Sequence, residues 1–283
     1  MENLPVRLIA IDMDGTLLDE DCHLPEENIK ALKDAVRAGI RLAIVSGRIP
    51  EDISYFMSDA GFEDCFVLGL NGGYWLDKPH GENIYAQYMT DEALEACIRI
   101  LEAEQVTFSA FGRNHIAISR PFATGQELEN WGSHLKRKGN LLYTYGMEGI
   151  TQQRALGTNK IVYIDREDET RLARIREQIE RIPGVEVTSS WINNIEIMPS
   201  GVHKGAALAM LAQRLHIDVS QVMAIGDNDN DIPMLSLAGY GVAMGNATLG
   251  ARAASEFETD DNENAGVAKA IWRFALQDHE LHA

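Results

Sequence analysis

Val6 to Ile11 is apolar except for Arg7 and ends abruptly in acids and glycine. That is the pattern of a parallel strand buried on both faces. Downstream, Ile29, Leu32 and Val36 fall at helical spacing and predict a helix over Pro25 to Ala38, with Gly39 as its stop. Arg41 to Val45 reads as a second strand, Pro50 to Ala60 as a helix closed by Gly61, and Phe66 to Leu70 as a third strand. The βαβαβ alternation predicts an α/β fold on a doubly wound parallel sheet, in which ligands bind beyond the carboxyl ends of the strands.

From Gly73 to about Asn194 the pattern changes. Amphipathic helices are predicted at Thr90 to Gln105 and Glu167 to Arg181, and strands at Lys160 to Ile164 and Asn194 to Met198, while Gly132 to Leu156 carries no regular period. After Pro199 the alternation resumes: a helix from Lys204 to Leu215, a strand from Val222 to Ile225, a helix from Asp231 to Ala238 and a strand around Gly241 to Met244. The expected organisation is a core begun by residues 1–82, an α+β insert over 83–194, and a core completed by 195–283.

The length of 283 residues agrees with two domains. With 25 basic against 43 acidic side chains, the net charge of −18 repels nucleic acid and anionic lipid. An anionic substrate must therefore be received by a metal or by a few basic residues in one pocket. The N-terminus fits neither a secretory signal nor a membrane span, so a cytoplasmic location is expected. Cys22, Cys65 and Cys97 form no CxxC pair and read as buried or idle thiols. The one close histidine pair, His279 and His282, reads as part of a frayed tail.

The strongest chemical signal is Asp12-Met13-Asp14-Gly15-Thr16-Leu17 at the end of the first strand. Two carboxylates two residues apart suit an aspartate nucleophile beside a proton-shuttling acid; an acidic turn that merely caps the next segment is the bland alternative. Ser46-Gly47-Arg48, Asn71-Gly72-Gly73 and the acidic run from Gly226 to Asp231 each follow a predicted strand of the same sheet, and should converge on one crevice. The Ser46 hydroxyl, the N–H after it and Lys204 at a helix start suit phosphate oxygens. Asp227, Asp229 and Asp231 match the opening of an EF-hand loop, but Ile232 stands where that loop needs Gly and Ala238 where it needs Glu. Asp227 as a single Mg²⁺ ligand fits better. Gly239-Tyr240-Gly241 has the wrong spacing for a dinucleotide loop, and the sequon at Asn246 carries no weight in a cytoplasmic chain.

DMDGT at Asp12 to Thr16, SGR at Ser46 to Arg48, NGG at Asn71 to Gly73, HKG around Lys204 and GDNDND at Gly226 to Asp231 follow one another in this order across essentially the whole chain. In this the sequence resembles the haloacid dehalogenase superfamily, and more narrowly its Cof-type phosphatases with a large (type IIB) cap between the second and third motifs. The resemblance implies a Rossmann-like core with an inserted α+β cap. It implies Asp12 as the nucleophile that becomes an aspartyl-phosphate, and Asp14 as the acid and then the base. Ser46 and Lys204 would bind the phosphoryl group with help from Asn230, and Met13 and Gly47 belong to the same substrate-binding set. Mg²⁺ would be held by Asp12, the Asp14 carbonyl and Asp227, with Asp231 supporting. Arg48 and Asn71 would meet the leaving group or the cap.

The implied activity is Mg²⁺-dependent hydrolysis of small phosphorylated metabolites, with sugar phosphates expected. Dehalogenase members lack an acid two residues after the nucleophile and P-type pumps carry Thr there, whereas this chain has Asp14. A phosphomutase using the same aspartyl-phosphate and a phosphate-sensing protein without turnover are the alternatives. No nucleic-acid or membrane partner is expected, and the chain should be a monomer or weak homo-oligomer. Every chemical motif lies outside the insert, which is expected to select the substrate.

Overall fold

The computed structural model describes residues 5–120, 141–190 and 193–276. Strand β1 (Leu8–Ile11) lies at the centre of an eight-stranded sheet, parallel to β2 (Arg41–Val45) on one side and to β12 (Val222–Gly226) on the other. Beyond β2 come β3 (Phe66–Gly69) and the antiparallel strands β4 (Tyr74–Leu76) and β5 (Asn83–Ala86). Beyond β12 lie β13 (Tyr240–Ala243) and β14 (Phe257–Glu258).

The apolar runs are explained by burial on both faces. Ile9, Ile11, Ile44 and Ile225 enter one core cluster, with Leu32 of helix α1 (Glu26–Arg37) packed among them. Their neighbours Leu8, Ala10, Val45 and Ala224 enter another, under Leu208 and Leu211 of α6 (Lys204–Arg214). The strand order reverses between β1 and β12, so the chain leaves these two strands at the crevice where open α/β sheets bind ligands.

The second sheet has six strands in the order β10-β11-β9-β6-β7-β8. These are β6 (Phe108–Phe111), β7 (His115–Ile118), β8 (Leu142–Tyr145), β9 (Lys160–Ile164), β10 (Val185–Thr188) and β11 (Asn194–Pro199). Helices α3 (Asp91–Ala103) and α5 (Glu169–Glu180) place Leu94, Ile98, Leu172 and Ile175 on one face, against Phe108, Ile161 and Ile197. Residues of the other face, Ile116, Val162 and Ile164, join the core cluster that contains Ile9 and Ile11.

Strand pairing corrects the expected edges of the insert. Asn83–Ala86 pairs with β4 in the first sheet, and Asn194–Pro199 pairs with β9 and β10 in the second. A strand of four to six residues carries no mark of which sheet it will join, because pairing is decided by partners distant in the chain. Within the unassigned stretch from Gly132 to Leu156, β8 and α4 (Gly146–Leu156) are regular. Only Gly149, Ile150 and Gln153 of α4 are buried, which leaves too thin an apolar stripe to detect. Residues 132–140, Met1 to Leu4, His279 and His282 lie outside the described residues. Cys65 and Cys97 are buried, and burial pushes both thiols up to about 12. Cys22 is exposed and borders the cleft described below. Among the described residues, no helix is long and apolar enough to cross a membrane.

Candidate active site

Asp12 continues the β1 ladder by one bond, its N–H donating to the Ile225 carbonyl at 3.0 Å. The chain then turns: Asp14 is extended, Gly15 has φ +75°, and the Leu18 N–H closes on the Met13 carbonyl at 2.9 Å. Gly15 is required here twice over, because a Cβ on it would stand 2.6 Å from Asp227 Oδ2 on a left-handed backbone. Thr16 Oγ1 donates to Asp227 Oδ1 at 2.7 Å, tying this turn to the loop after β12. The Met13 side chain points into the apolar core, so it brings no side chain to the cleft.

Lys204, fully buried at the start of α6, places Nζ 2.7 Å from Asp12 Oδ1 and 2.6 Å from Asp231 Oδ1. Burial alone would lower the Lys204 pKa; Asp12 and Asp231 overcome it and raise it. Leaving the buried ammonium with neither carboxylate would cost about 3–5 kcal/mol. Asp231 spends its other oxygen on the Asp227 and Asn228 N–H groups at 3.0 Å each, so protein donors engage both its oxygens.

Asp12, Asp227 and Asp231 each present a carboxylate oxygen within 4.8 Å of the others. Burial, with Asp231 and Asp227 adding repulsion against the pull of Lys204, raises the Asp12 pKa well above its ordinary value. Burial and Asp231 push Asp227 to about 7. Three buried carboxylates beside one lysine hold more negative charge than the protein neutralises, and an all-oxygen donor set suits a hard divalent cation. The residues fit Mg²⁺.

On the opposite wall, Arg48 grips Asp14 with two bonds, Nε to Oδ2 at 2.8 Å and Nη2 to Oδ1 at 2.5 Å, while Nη1 donates to the buried Asp52 at 2.8 Å. Arg48 thus meets Asp14 rather than the insert. The Ser46 hydroxyl accepts from the Arg48 N–H at 3.2 Å, leaving its own proton to donate. Asn71, with φ 57°, donates to Glu196 at 2.5 Å, so it does touch the second sheet. Asn230 Nδ2 lies 3.5 Å from Asn71 Oδ1.

The resulting cleft encloses about 210 Å³ and is bordered by Asp12, Asp14, Ser46, Gly47, Arg48, Asp227 and Asn230. Three further residues, Lys160, Ser190 and Glu196, come from the insert. Lys160 Nζ donates to the Gly47 carbonyl at 2.7 Å and lies 3.3 Å from Glu196 Oε1, which also accepts from Ser190 Oγ at 3.0 Å. Burial would raise the Glu196 pKa, but Lys160, Asn71 and Ser190 hold it below its ordinary value. Sequence reasoning missed all three. A signal existed for two of them: Lys160 opens the apolar strand KIVYI, and Glu196 is a charge set inside the apolar strand NIEIMP.

A sequence profile of haloacid dehalogenase-like hydrolases matches residues 9–271. The chain belongs to this family. Two relatives from Bacillus subtilis (strain 168) are both 5-amino-6-(5-phospho-D-ribitylamino)uracil phosphatases. YcsE is 29% identical over 275 residues, covering 97% of this chain and 98% of the relative. YwtE is 30% identical over 283 residues, covering 94% and 97%. The solved structure of a haloacid dehalogenase-like hydrolase from B. subtilis superposes with a TM-score of 0.84 at 26% identity, covering 95% of this chain and 99% of that one. This haloacid dehalogenase-like protein is accordingly a hydrolase by class, and its buried aspartate cluster supports a phosphatase mechanism.

Proposed function

We propose that this hydrolase cleaves phosphate monoesters of small metabolites, sugar and sugar-alcohol phosphates among them, through an aspartyl-phosphate on Asp12. The observation that carries the reading is the buried Lys204 held 2.7 Å from Asp12, with Asp14 and Ser46 bordering the same cleft. An Asp12 oxygen attacks phosphorus and the ester bond breaks, while Asp14 hands its proton to the departing oxygen; Asp14 then takes a proton from the water that attacks the aspartyl-phosphate. Lys204, the Ser46 hydroxyl and Asn230 orient the phosphoryl oxygens. Asp52 keeps Arg48 anchored when Asp14 turns to the ester. Asp12, the Asp14 carbonyl and Asp227 would hold Mg²⁺, with Asp231 bracing Lys204 and the Asp227 loop. Such an ion neutralises phosphate charge in the transition state. The phosphorylated ribityl chain named for the two B. subtilis relatives supports a polyol-like leaving group.

A panel of phosphate esters assayed for phosphate release with and without Mg²⁺ tests this reading, and release from none of them would refute it. Asp227→Ala should move the Mg²⁺ activation curve to higher concentration by about tenfold or more; an unchanged curve removes Asp227 from the metal site.

A melting experiment tests the same cluster without turnover. Because the Asp227 pKa is raised to about 7, the metal-free folded protein binds a proton there that the unfolded chain releases near pH 4. Its contribution to stability therefore falls as pH rises through that window, and Mg²⁺ must displace the proton below pH 7. The Mg²⁺-induced rise in Tm should be larger at pH 8 than at pH 5.5. Equal rises would contradict the assignment.

A further inference from the structure

Every cation bordering the reaction centre, among the described residues, already serves a carboxylate. Lys204 lies between Asp12 and Asp231, Arg48 between Asp14 and Asp52, and Lys160 beside Glu196. Asp227 adds a sixth carboxylate to these three cations. A divalent cation would offset only the charge that the phosphate itself brings. Resting on the phosphatase reading, we infer that the cleft takes monoesters whose leaving group is neutral or cationic and discriminates against those that carry a second anion.

The second anion would stand on the insert side of the cleft, beside Glu196, Ser190 and Asn228. Lys160 is the cation nearest that wall, and it is not released to meet an anion. Its ammonium is buried, donates to the Gly47 carbonyl at 2.7 Å and is paired with Glu196. Arg48 stays anchored on the buried Asp52 when Asp14 turns to the ester, and lies over the Phe56 ring, 5.1 Å from its centre. In a partly enclosed cleft the repulsion between Glu196 and a second anion is poorly screened. The overall charge of −18 acts in the same direction at longer range. A hydroxyl or an ammonium, in contrast, can donate to the Glu196 carboxylate. A mutase cycle through a bisphosphate would meet the same barrier as any other doubly anionic ester.

Three six-carbon esters isolate the effect of charge: glucose 6-phosphate is neutral beyond its phosphate, glucosamine 6-phosphate adds an ammonium, and 6-phosphogluconate adds a carboxylate. Each is measured as a competitor of p-nitrophenyl phosphate hydrolysis with Mg²⁺ present, so that its Ki is read whether or not it is itself turned over. The expected Ki of 6-phosphogluconate is about tenfold or more above that of glucose 6-phosphate, and that of glucosamine 6-phosphate is equal to or below it. Glu196→Gln should shrink the ratio of anionic to neutral Ki, and Lys160→Met should enlarge it. Loss of fold does not move one ratio in opposite directions in two variants. Equal Ki values for the anionic and neutral esters, no competition by any of the three, or ratios moving together in the two variants would overturn the inference while p-nitrophenyl phosphate hydrolysis persists. Absence of that hydrolysis in the unaltered protein would instead overturn the phosphatase reading, and this inference with it.

Discussion

Asp12→Asn is expected to lower phosphate release by about 10⁴-fold or more while the protein stays folded. The amide keeps the volume of the carboxylate at the end of β1, but its nitrogen and carbonyl oxygen are poor nucleophiles toward phosphorus. Folding is spared for an electrostatic reason. Burial, Asp231 and Asp227 together make the charged form of Asp12 unfavourable despite Lys204, so a neutral replacement relieves repulsion. Lys204 retains Asp231 at 2.6 Å as its partner. The metal-free variant should therefore melt no lower than the parent at neutral pH. A well-folded Asp12→Asn protein with near-normal kcat would refute the nucleophile assignment.

Asp14→Asn should separate the two halves of the reaction. With p-nitrophenyl phosphate, whose phenolate leaves without help, phosphoenzyme should still form. With an alkyl ester the rate should fall by about 10²- to 10⁴-fold, the span of general acid–base catalysis. The two bonds from Arg48 to Asp14 are weakened in this variant, yet Arg48 keeps its bond to Asp52, so the wall of the cleft stays in place. Rapid-quench measurement of phosphoenzyme for both esters checks the split. Equal losses for the two would mean that Asp14 does not protonate the leaving group.

The strands at Arg41–Val45 and Lys160–Ile164 have the limits their apolar runs predict, because a strand covered on both faces reads as an unbroken hydrophobic block. Helix α3 begins one residue after Thr90, whose hydroxyl accepts from the Ala93 N–H, a cap visible in the chain as Thr before acids. Helix α4 was not visible, since its buried stripe is three residues wide in eleven. The motifs at Asp12, Ser46, Asn71, Lys204 and Asp227 were legible because each stands at a strand end or helix start, where a single sheet brings such positions to one edge.

What the sequence determined by itself is the alternation that builds the parallel sheet, the family, and the set of polar groups at the sheet's carboxyl edge. Local spacing is enough for these, because strand, turn and helix are decided within a few residues. Tertiary structure alone decided who faces whom: Arg48 on Asp14, both oxygens of Asp231 on Lys204 and the Asp227 loop, and Lys160 and Glu196 brought from the insert against Gly47 and Asn71. Glu196 and Asn71 lie 125 positions apart in the chain. Their contact depends on how two sheets pack, and the long-range pairing of charges in a dry cleft has no local signature in the sequence.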